Sequence, residues 1–546
     1  MKKIGYIAAA ALSAMMFMSS CDELDQYPKT ETSSNVVYST PEGYKQALAK
    51  IYAAYVIRGQ EEGGGKGDLI EEDPYYCSRA CFNLQECGTD EIMFTWAVSD
   101  ELKEISLLQG LNGQSKWIAG AYYTLYYIVT LSNDFIRNCE GGDAEIELMK
   151  NEARFMRAYA YSQIMDFWPV GAFVTENDPV GAYEPKIAKR DEICDYVISE
   201  LKDLVDVLPE KNDQYRANKY AAAALLSRVC LNAPVYKESN DVSYYNDCIK
   251  YSEMVINGGY SLEEDFYKLF NAENYKRTNE IIFSFYTGKE GTNGNKGYGS
   301  TTMLICGSAN SSTIIQVINE DGEKEDKNIA TLNAINVLGC EKNYWQLFRA
   351  RKQAAQRFES GDERDMFFKT ERSIDNPSPI DEKVAKEGYV FNKFCNTNDD
   401  GTIASDFSTT LSMVDLPVLR LSEVILNEAE AILRGGTGAT KTAVDLVNQV
   451  RKRAGVSEFS LDDLENTENG VQYWNLLEER GREFMLESLR RTDLIRFNAY
   501  AGDTQYNWEW KGGVLSGTQA DAKYKFFPLP VAELSANSAL YDPYYK

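Results

Sequence analysis

The groups that could do chemistry in this chain are mostly carboxylates, because the sequence contains no histidine. Catalytic triads of the Ser-His-Asp type, imidazole metal sites and the usual neutral-pH proton shuttle are therefore excluded. A glycoside hydrolase needs two carboxylates that flank the scissile bond, and Asp90 with Glu91 is one such pair. Adjacent residues rarely converge on one atom, however, and the 83 acidic residues make such pairs common. A structural role is favoured for this pair.

An oxygen-rich segment, NTNDDG at residues 396–401, resembles the first half of a calcium-binding EF-hand loop. Asn396, Asn398, Asp400 and Gly401 stand in register, but the twelfth position is Phe407 where the bidentate glutamate is required. We interpret the segment as a turn, with bound calcium as the alternative. No cofactor and no metal site are predicted for the chain.

The eleven cysteines fall into separate groups. Cys77, Cys81 and Cys87 lie close together in a predicted loop, where an exported chain could form one disulfide, although the spacing does not fix the pairing. Three thiols without a histidine do not complete a zinc site. Others lie in helix-like apolar patterns and are predicted to be small buried hydrophobic residues: Cys194, Cys230 and Cys248.

The N-terminus is typical of an export signal that ends at a cysteine. Two lysines precede an apolar stretch at residues 4–17, which is too short for a membrane-spanning helix. A pair of serines stands directly before Cys21, which resembles the lipobox of bacterial lipoproteins, whose thiol is lipid-modified. We therefore predict a signal peptide at residues 1–20 and lipidation of Cys21. The alternative is a secreted protein with an incidental cysteine.

Acidic residues follow this cysteine at once: Asp22, Glu23 and Asp25. They look like the signal that sends some diderm lipoproteins to the outer surface, and a plain solvated tether is the alternative. No later stretch stays apolar for the length of a membrane span. The sequence thus predicts an outer-membrane protein that is exposed at the cell surface and held by its lipid anchor alone.

The composition excludes further classes of partner. The net charge of −26 argues against nucleic acid, because phosphate contacts need clustered lysine and arginine. The same charge disfavours strongly anionic ligands, although a local basic pocket could override it. Hydrophobic residues make up 44% of the chain, which excludes global disorder.

Helical periodicity dominates the elements that must position these groups. Tyr44, Leu48 and Tyr55 share one helical face behind a threonine cap and a first-turn proline, and Gly435 and Gly455 are predicted to end helices. Helices of this length with short links predict a mainly α fold of stacked, antiparallel, tetratricopeptide-like pairs. Besides the helix around Tyr44, helices are predicted at about residues 115–138, 144–168, 190–208, 216–233, 243–256, 417–434, 440–454 and 471–498.

Two long insertions interrupt this pattern, at about residues 59–100 and 284–345. The first contains EEGGGKGD and a cysteine-aromatic segment, and the second is rich in Gly, Asn, Ser and Thr. A strand-like run at residues 280–285 leads into the second insertion. Because long irregular insertions in compact proteins usually carry function, we predict that they form a loop-rich binding face over the helical base.

The stretch GREFMLESLRRTDLIR, preceded by EER, has an unusual density of charge for a helix. Glu479, Glu483 and Glu487 recur every four residues. Exposed pairs at this spacing contribute only about 0.2–0.5 kcal/mol each, so exposed charge alone would not explain the pattern. We predict partly buried arginines that brace other helices, and we favour this role over catalysis.

This stretch resembles the signature helix of the SusD/RagB family of outer-membrane nutrient-binding lipoproteins. Ser488 replaces a common glycine, and Trp168 stands where glycine is frequent. The resemblance covers nearly the whole chain, and the order of the blocks is more specific than any one of them. The other matching blocks are LDQYP (24–28), NEARFMRAYAYSQIMDFWP (151–169), ANKYAAAALLSRVCL (217–231), LPVLRLSEVILNEAEAI (416–432), AVDLVNQVRKRAG (443–455) and FFPLPVAEL near the end.

Membership of this family would imply one SusD-like domain over residues 21–546, with a tetratricopeptide-like side and a loop-rich ligand face. It would also imply non-catalytic binding of oligosaccharides and docking on a SusC-like TonB-dependent outer-membrane transporter. Some relatives bind peptides, so peptide capture is the alternative within the family. A carboxylate-dependent glycoside hydrolase and a helical-repeat adaptor with protein partners are the alternatives outside it.

A saccharide receptor needs exposed flat aromatic rings beside amides and carboxylates. Trp96 follows GTDEIMFT, which matches the family's TDE element, and its alternative is a core tryptophan. The tyrosine candidates are chosen for their loop context, although the chain has 36 tyrosines and most of them should pack between helices. Trp508 and Trp510 rank last. The predicted ligand-binding residues are Trp96, Tyr75, Tyr76, Tyr286, Tyr298 and Trp345.

Overall fold

The computed structural model describes residues 34–59, 67–70, 72–94, 100–139, 141–287, 314–318, 323–328, 347–368, 389–404, 412–500, 504–508 and 521–545. Within these ranges the chain is mainly helical, which confirms the predicted fold class. The helices are α1 (Ser34–Val37), α2 (Pro41–Val56), α3 (Cys77–Phe82), α4 (Asp100–Leu107), α5 (Lys116–Arg137), α6 (Ala144–Phe167), α7 (Arg190–Val207), α8 (Lys219–Tyr236), α9 (Ser243–Ile256), α10 (Lys352–Gln356), α11 (Leu421–Leu433), α12 (Ala443–Arg453), α13 (Leu461–Leu464), α14 (Trp474–Phe484), α15 (Arg490–Arg496) and α16 (Val531–Ala536).

The long helices pack in series. Helix α5 packs on α6, α6 on α7, α7 on α8 and α8 on α9, and the series continues from α9 to α11 and from α11 to α12. Each inner helix therefore buries one side against its predecessor and another against its successor, which closes a continuous hydrophobic core. The predicted stack of helices is confirmed.

Local signals fix several helix ends. Thr40 accepts a hydrogen bond from the Gly43 amide at 3.1 Å, and proline follows it at the first position of α2. Gly435 and Gly455 adopt φ values of 95° and 71° directly after α11 and α12. Such left-handed geometry is costly for residues with a Cβ, which is why glycine stands there.

One prediction of a helix is wrong. Residues 471–498 do not form a single helix, because the backbone turns between α14 and α15. Met485 adopts an extended ψ of 131°, and Leu486 and Ser488 adopt left-handed φ values of 67° and 62°. The predicted helix at 417–434 also begins later, at Leu421, because a strand precedes it.

The described strands pair two by two and antiparallel, and they are short. Strand β4 is fully buried, which confirms the strand predicted at residues 280–285. The pairs are β1 (Ile92–Phe94) with β7 (Phe348–Ala350), β2 (Val170–Phe173) with β3 (Lys186–Lys189), β4 (Ile281–Phe285) with β10 (Leu416–Arg420), β5 (Ile314–Ile318) with β6 (Lys324–Asn328), β8 (Phe367–Phe368) with β9 (Val390–Phe391), and β11 (Thr467–Glu468) with β12 (Val471–Gln472).

The glutamates of the charged stretch lie in the interior and bind cations of other elements. Glu479 accepts hydrogen bonds at 2.7 Å from Arg364 and from Arg451. Burial alone would raise the pKa of Glu479, but these arginines and Arg482 hold it at about 2. The predicted bracing role is confirmed. Glu483 and Glu487 are bound in the same way, by Arg364, Arg420, Arg453 and Lys393.

The described cysteines form no disulfide with one another. Cys77 and Cys81 lie one turn apart in α3, and Cys87 is buried a few residues beyond. Burial raises the pKa of the Cys81 thiol, so this sulfur is protonated at neutral pH. No disulfide joins these three residues. The prediction of small buried cysteines is confirmed: Cys194, Cys230 and Cys248.

Candidate functional site

The second insertion continues directly from β4 through an exposed aromatic residue. Strand β4 ends at Phe285, and the next side chain, Tyr286, is 42% exposed. Its ring lies against that of Tyr215, with centroids 5.0 Å apart and planes inclined by 53°. Two flat rings thus meet at the root of the insertion, on a scaffold of buried strand.

Tyr215 is held in an unusual backbone conformation. Its φ of 70° is left-handed, which is rare for a bulky side chain. The phenol donates a hydrogen bond of 2.7 Å to Asp415, and the same carboxylate accepts the Thr287 amide at 3.0 Å. Asp415 therefore ties the Tyr215 ring to the first residues of the insertion.

Asp415 is a buried carboxyl with an altered proton affinity. Burial raises its pKa to about 6, and the hydrogen bonds from Thr287 and Tyr215 oppose the shift only in part. Its protonation thus changes in the range from weakly acidic to neutral pH.

An apolar groove of about 670 Å³ lies beside the two rings, between α2 and the end of β4. Tyr52 borders it, and the Tyr52 phenol donates to Glu152 at 2.9 Å. Arg216 binds the same carboxylate at 2.6 Å, which fixes the edge of the groove. The remaining walls include Leu48, Val56, Met149 and Phe285. Flat rings over an apolar floor can bind a ring-shaped ligand by its apolar face.

Two sequence profiles match the chain. One, described as the SusD family, matches residues 233–545, and the other, described as starch-binding associating with outer membrane, matches residues 85–231. The chain belongs to the SusD family.

Individual relatives agree with this assignment. The starch-binding protein SusD of Bacteroides thetaiotaomicron is 27% identical over 532 residues, which cover 90% of each chain. Surface glycan-binding protein A from Bacteroides uniformis superposes with a TM-score of 0.67 at 19% identity, covering 93% of this chain and 100% of that one. Surface glycan-binding protein A from Bacteroides thetaiotaomicron, in complex with laminarihexaose, gives 0.64 at 19% identity, covering 91% and 98%. These solved structures share the SusD-like fold.

Of the aromatic residues predicted for this SusD-family chain, only some lie in the described ranges. Tyr286 has the exposure that a ring platform needs, whereas Tyr75 and Tyr76 are buried, with 8% and 2% exposed. They are buried because the turn at Asp73–Tyr75 packs on α5, where Gly120 lacks a Cβ and admits the Pro74 carbonyl. Tyr76 also packs under the Arg58 guanidinium, 5.1 Å from its ring centre.

The other predicted site residues lie outside the described ranges: Cys21, Trp96, Tyr298 and Trp345. The strands next to two of them are described. Phe94, two residues before Trp96, pairs with Phe348, three residues after Trp345. Trp508 is buried, and its indole donates to the Ala499 carbonyl at 3.2 Å, while Trp510 is outside the described ranges.

The Asp90-Glu91 pair is part of the buried ionic framework of the SusD-like fold. Asp90 accepts hydrogen bonds from Arg490 at 2.8 and 2.6 Å and from the Tyr506 phenol at 2.6 Å. Burial would raise the pKa of Asp90, but Arg490 and Arg357 outweigh it and hold the pKa well below its usual range. Both carboxyl groups are fully buried, so neither can meet a substrate. The predicted structural role is confirmed.

The oxygen-rich segment at 396–401 forms a turn, as predicted. Asp400 accepts the Thr402 amide at 2.9 Å, and the Asn398 amide donates to the Thr402 carbonyl at 2.7 Å. The twelfth position, Phe407, lies outside the described ranges. Among the described side chains no group of three or more acidic or cysteine residues is arranged to hold a metal ion.

Sequence reasoning missed Tyr215 and Asp415. Tyr215 lies in a polar link between two predicted helices, EKNDQYRAN, where a single aromatic residue among amides was the available signal. Asp415 directly precedes β10 and carries no local motif, since its partners are 200 and 128 residues away in sequence.

Within the described ranges no helix is both long and apolar enough to span a bilayer.

Proposed function

We propose that this protein is a surface-exposed outer-membrane lipoprotein that binds oligosaccharides without catalysis and delivers them to a SusC-like TonB-dependent transporter. The observation that carries the proposal is the exposed Tyr286 ring beside Tyr215, over an apolar groove at the root of the second insertion. Family membership supports it, as do relatives whose names state starch and laminarihexaose as ligands.

The physical basis is stacking on a neutral ligand. The CH faces of a sugar ring bury against flat aromatic rings, and the net charge of −26 does not oppose a neutral chain. Affinities between the millimolar and micromolar range, about −4 to −8 kcal/mol, are expected for such contacts.

The ligand face extends beyond the described rings. Strands β1 and β7 pair at Phe94 and Phe348, so the segments that carry Trp96 and Trp345 join the fold at one place. We place both tryptophans, with Tyr286 and Tyr298, in contact with the ligand. Tyr75 and Tyr76 are not part of this contact surface, because both are buried.

The anchor and the partner complete the proposal. Cys21 carries the lipid after removal of residues 1–20, and residues 21–546 act as one domain that closes over the transporter. The proposed activity is binding alone, and the carboxylate pair considered for hydrolysis is buried and bound to arginines.

Native affinity electrophoresis of residues 22–546 in gels with soluble starch, laminarin or xyloglucan tests the proposal. We expect at least one polysaccharide to retard the protein. Trp96→Ala should weaken the affinity for this polysaccharide about tenfold, and Tyr541→Ala should leave the affinity unchanged. Tyr541 is a matched control because it is 54% exposed on the C-terminal segment.

Three results would contradict the proposal. Release of reducing ends from the polysaccharide would show a hydrolase. Binding of a peptide panel without any polysaccharide would show peptide capture. Absence of lipid label from the unaltered protein would remove the proposed anchor, since we expect the unaltered protein to be labelled and Cys21→Ser to lose the label.

A further inference from the structure

A second depression adjoins the groove on the far side of Tyr215. It has a volume of about 410 Å³, and Tyr215 and Arg216 border both cavities. The rings of Tyr220 and Tyr260 line it and meet edge to face, with centroids 5.6 Å apart. Tyr275 stands on its rim and is 45% exposed. Tyrosines of the helical scaffold thus continue the aromatic surface that begins at Tyr286.

The link between α7 and α8 that carries Tyr215 is held in place from several sides. The Gln214 amide nitrogen donates to the Tyr275 carbonyl at 2.6 Å, and the Asn212 amide nitrogen donates to the Ala217 carbonyl at 2.8 Å. Arg216 binds the buried Glu152. These bonds stabilise the left-handed backbone at Tyr215, so its ring is preorganised before any ligand arrives.

The lining of this depression fits a neutral, polyhydroxylated ligand. Amides stand between the rings, at Asn212, Gln214 and Asn218. The lining has as many acidic as basic residues, with Glu210 and Asp213 against Lys211 and Arg216 in number. An acidic or a basic peptide would gain nothing from a balanced rim, whereas sugar hydroxyls bind amides and sugar CH faces bind rings.

We propose that Tyr286, Tyr215 and Tyr275 form one track, with a second glycan subsite at the depression beyond Tyr215. The ligand is then a neutral chain long enough to cross from the groove into the depression. This inference rests on the proposed function and adds the required chain length.

Calorimetric titration of residues 22–546 tests the track with pairs of probes that differ only in length. The pairs are maltotriose with maltoheptaose, laminaritriose with laminarihexaose, and a xyloglucan heptasaccharide with the xyloglucan oligosaccharide that contains two of these heptasaccharide units. For at least one pair we expect the long member to bind about tenfold more tightly. Tyr275→Ala should remove this advantage and change the affinity for the short member less than about twofold.

Two controls keep the test specific. The Tyr275 carbonyl that Gln214 binds is retained in Tyr275→Ala, and a Tyr275→Trp variant should restore the affinity for the long probe because it restores a ring. Tyr541→Ala should leave both affinities unchanged.

The outcomes separate the two proposals. If Tyr275→Ala binds the long probe as tightly as the unaltered protein while Tyr286→Ala weakens both probes, the second subsite is overturned and the proposed function stands. If Tyr275→Trp does not restore the affinity, a ring platform is overturned at this position. If the unaltered protein binds no probe, both proposals are overturned.

Discussion

Ser488 shows how one residue sets the turn between α14 and α15. Its φ of 62° is left-handed, a conformation that glycine adopts more readily than serine. A left-handed conformation costs a residue with a Cβ about 1–2 kcal/mol, and glycine avoids this cost. Glycine in turn loses about 0.5–1 kcal/mol because its backbone gives up more entropy on folding. We therefore expect Ser488→Gly to raise the free energy of unfolding by about 0.5–1 kcal/mol in urea denaturation.

The matched control for this substitution is Ser261→Gly, at an exposed position whose φ is not left-handed. It should lower the free energy of unfolding by about 0.5 kcal/mol, because only the entropy cost applies. Equal effects of the two substitutions would show that the backbone at Ser488 is not under strain.

Asp415 should make stability depend on pH. Its pKa is about 6 in the folded protein against 3.8 in the unfolded chain, so between these values the folded state holds a proton that the unfolded state has lost. The free energy of unfolding therefore falls by about 2–3 kcal/mol as the pH rises from 4 to 7. Glu430 and Glu479, whose pKa values are about 2, act in the opposite sense below pH 4.5.

Comparison with Asp415→Asn isolates this contribution. The stability of the unaltered protein minus that of the variant should decrease across pH 4 to 7, measured by chemical denaturation at each pH. A difference that stays constant over this range would mean that Asp415 is ionised throughout.

Single residues are the scale at which sequence reasoning was least complete. Tyr286 could be predicted because it follows a recognisable strand and opens a polar insertion. Tyr75 and Tyr76 had the same loop context, but a close approach to Gly120 buries them, and no local pattern reports such a contact. Asp415 depends on partners far away in the chain, so its role followed only from the fold.

Helices and their contacts form the next scale, and α5 offers a direct test. An ideal Cβ on Gly120 would lie 2.1 Å from the Pro74 carbonyl oxygen, which is backbone and cannot rotate away. We expect Gly120→Ala to lower the free energy of unfolding by about 1–3 kcal/mol, because the turn at Asp73–Tyr75 must shift. Thermal denaturation measures the loss, and increased proteolysis near Tyr75 would locate it.

Gly142→Ala is the control for this substitution, since nothing lies within 4 Å of its Cβ position. It should change the free energy of unfolding by less than about 1 kcal/mol, with a gain favoured by the lower entropy of the unfolded chain. A loss as large as that of Gly120→Ala would contradict the packing argument.

At this scale the sequence predicted most of the fold. Apolar periodicity located α5, α6, α7, α9 and α12 within a few residues, because each buries one continuous stripe. It failed at residues 471–498, where the pattern of charge and apolar residues continues through the left-handed turn at Leu486 and Ser488. At this turn Glu487 binds Lys393 and Arg420, and periodicity does not record such long-range contacts.

The whole molecule combines a dense interior with a strongly acidic surface. Its buried ion pairs link segments far apart in sequence, as Asp90 and Arg490 do. The net charge of −26 would steer a charged ligand strongly, but it exerts little force on a neutral glycan. Binding by ring stacking should therefore be insensitive to salt.

The most direct measurement is the dissociation constant of residues 22–546 for three glycans, each at a low and at a high concentration of sodium chloride. The glycans are maltoheptaose, laminarihexaose and the xyloglucan oligosaccharide of two heptasaccharide units. We predict that at least one binds in the micromolar to millimolar range and that its dissociation constant changes less than about twofold with salt. Absence of binding by all of them, or binding that disappears at high salt, would contradict the account.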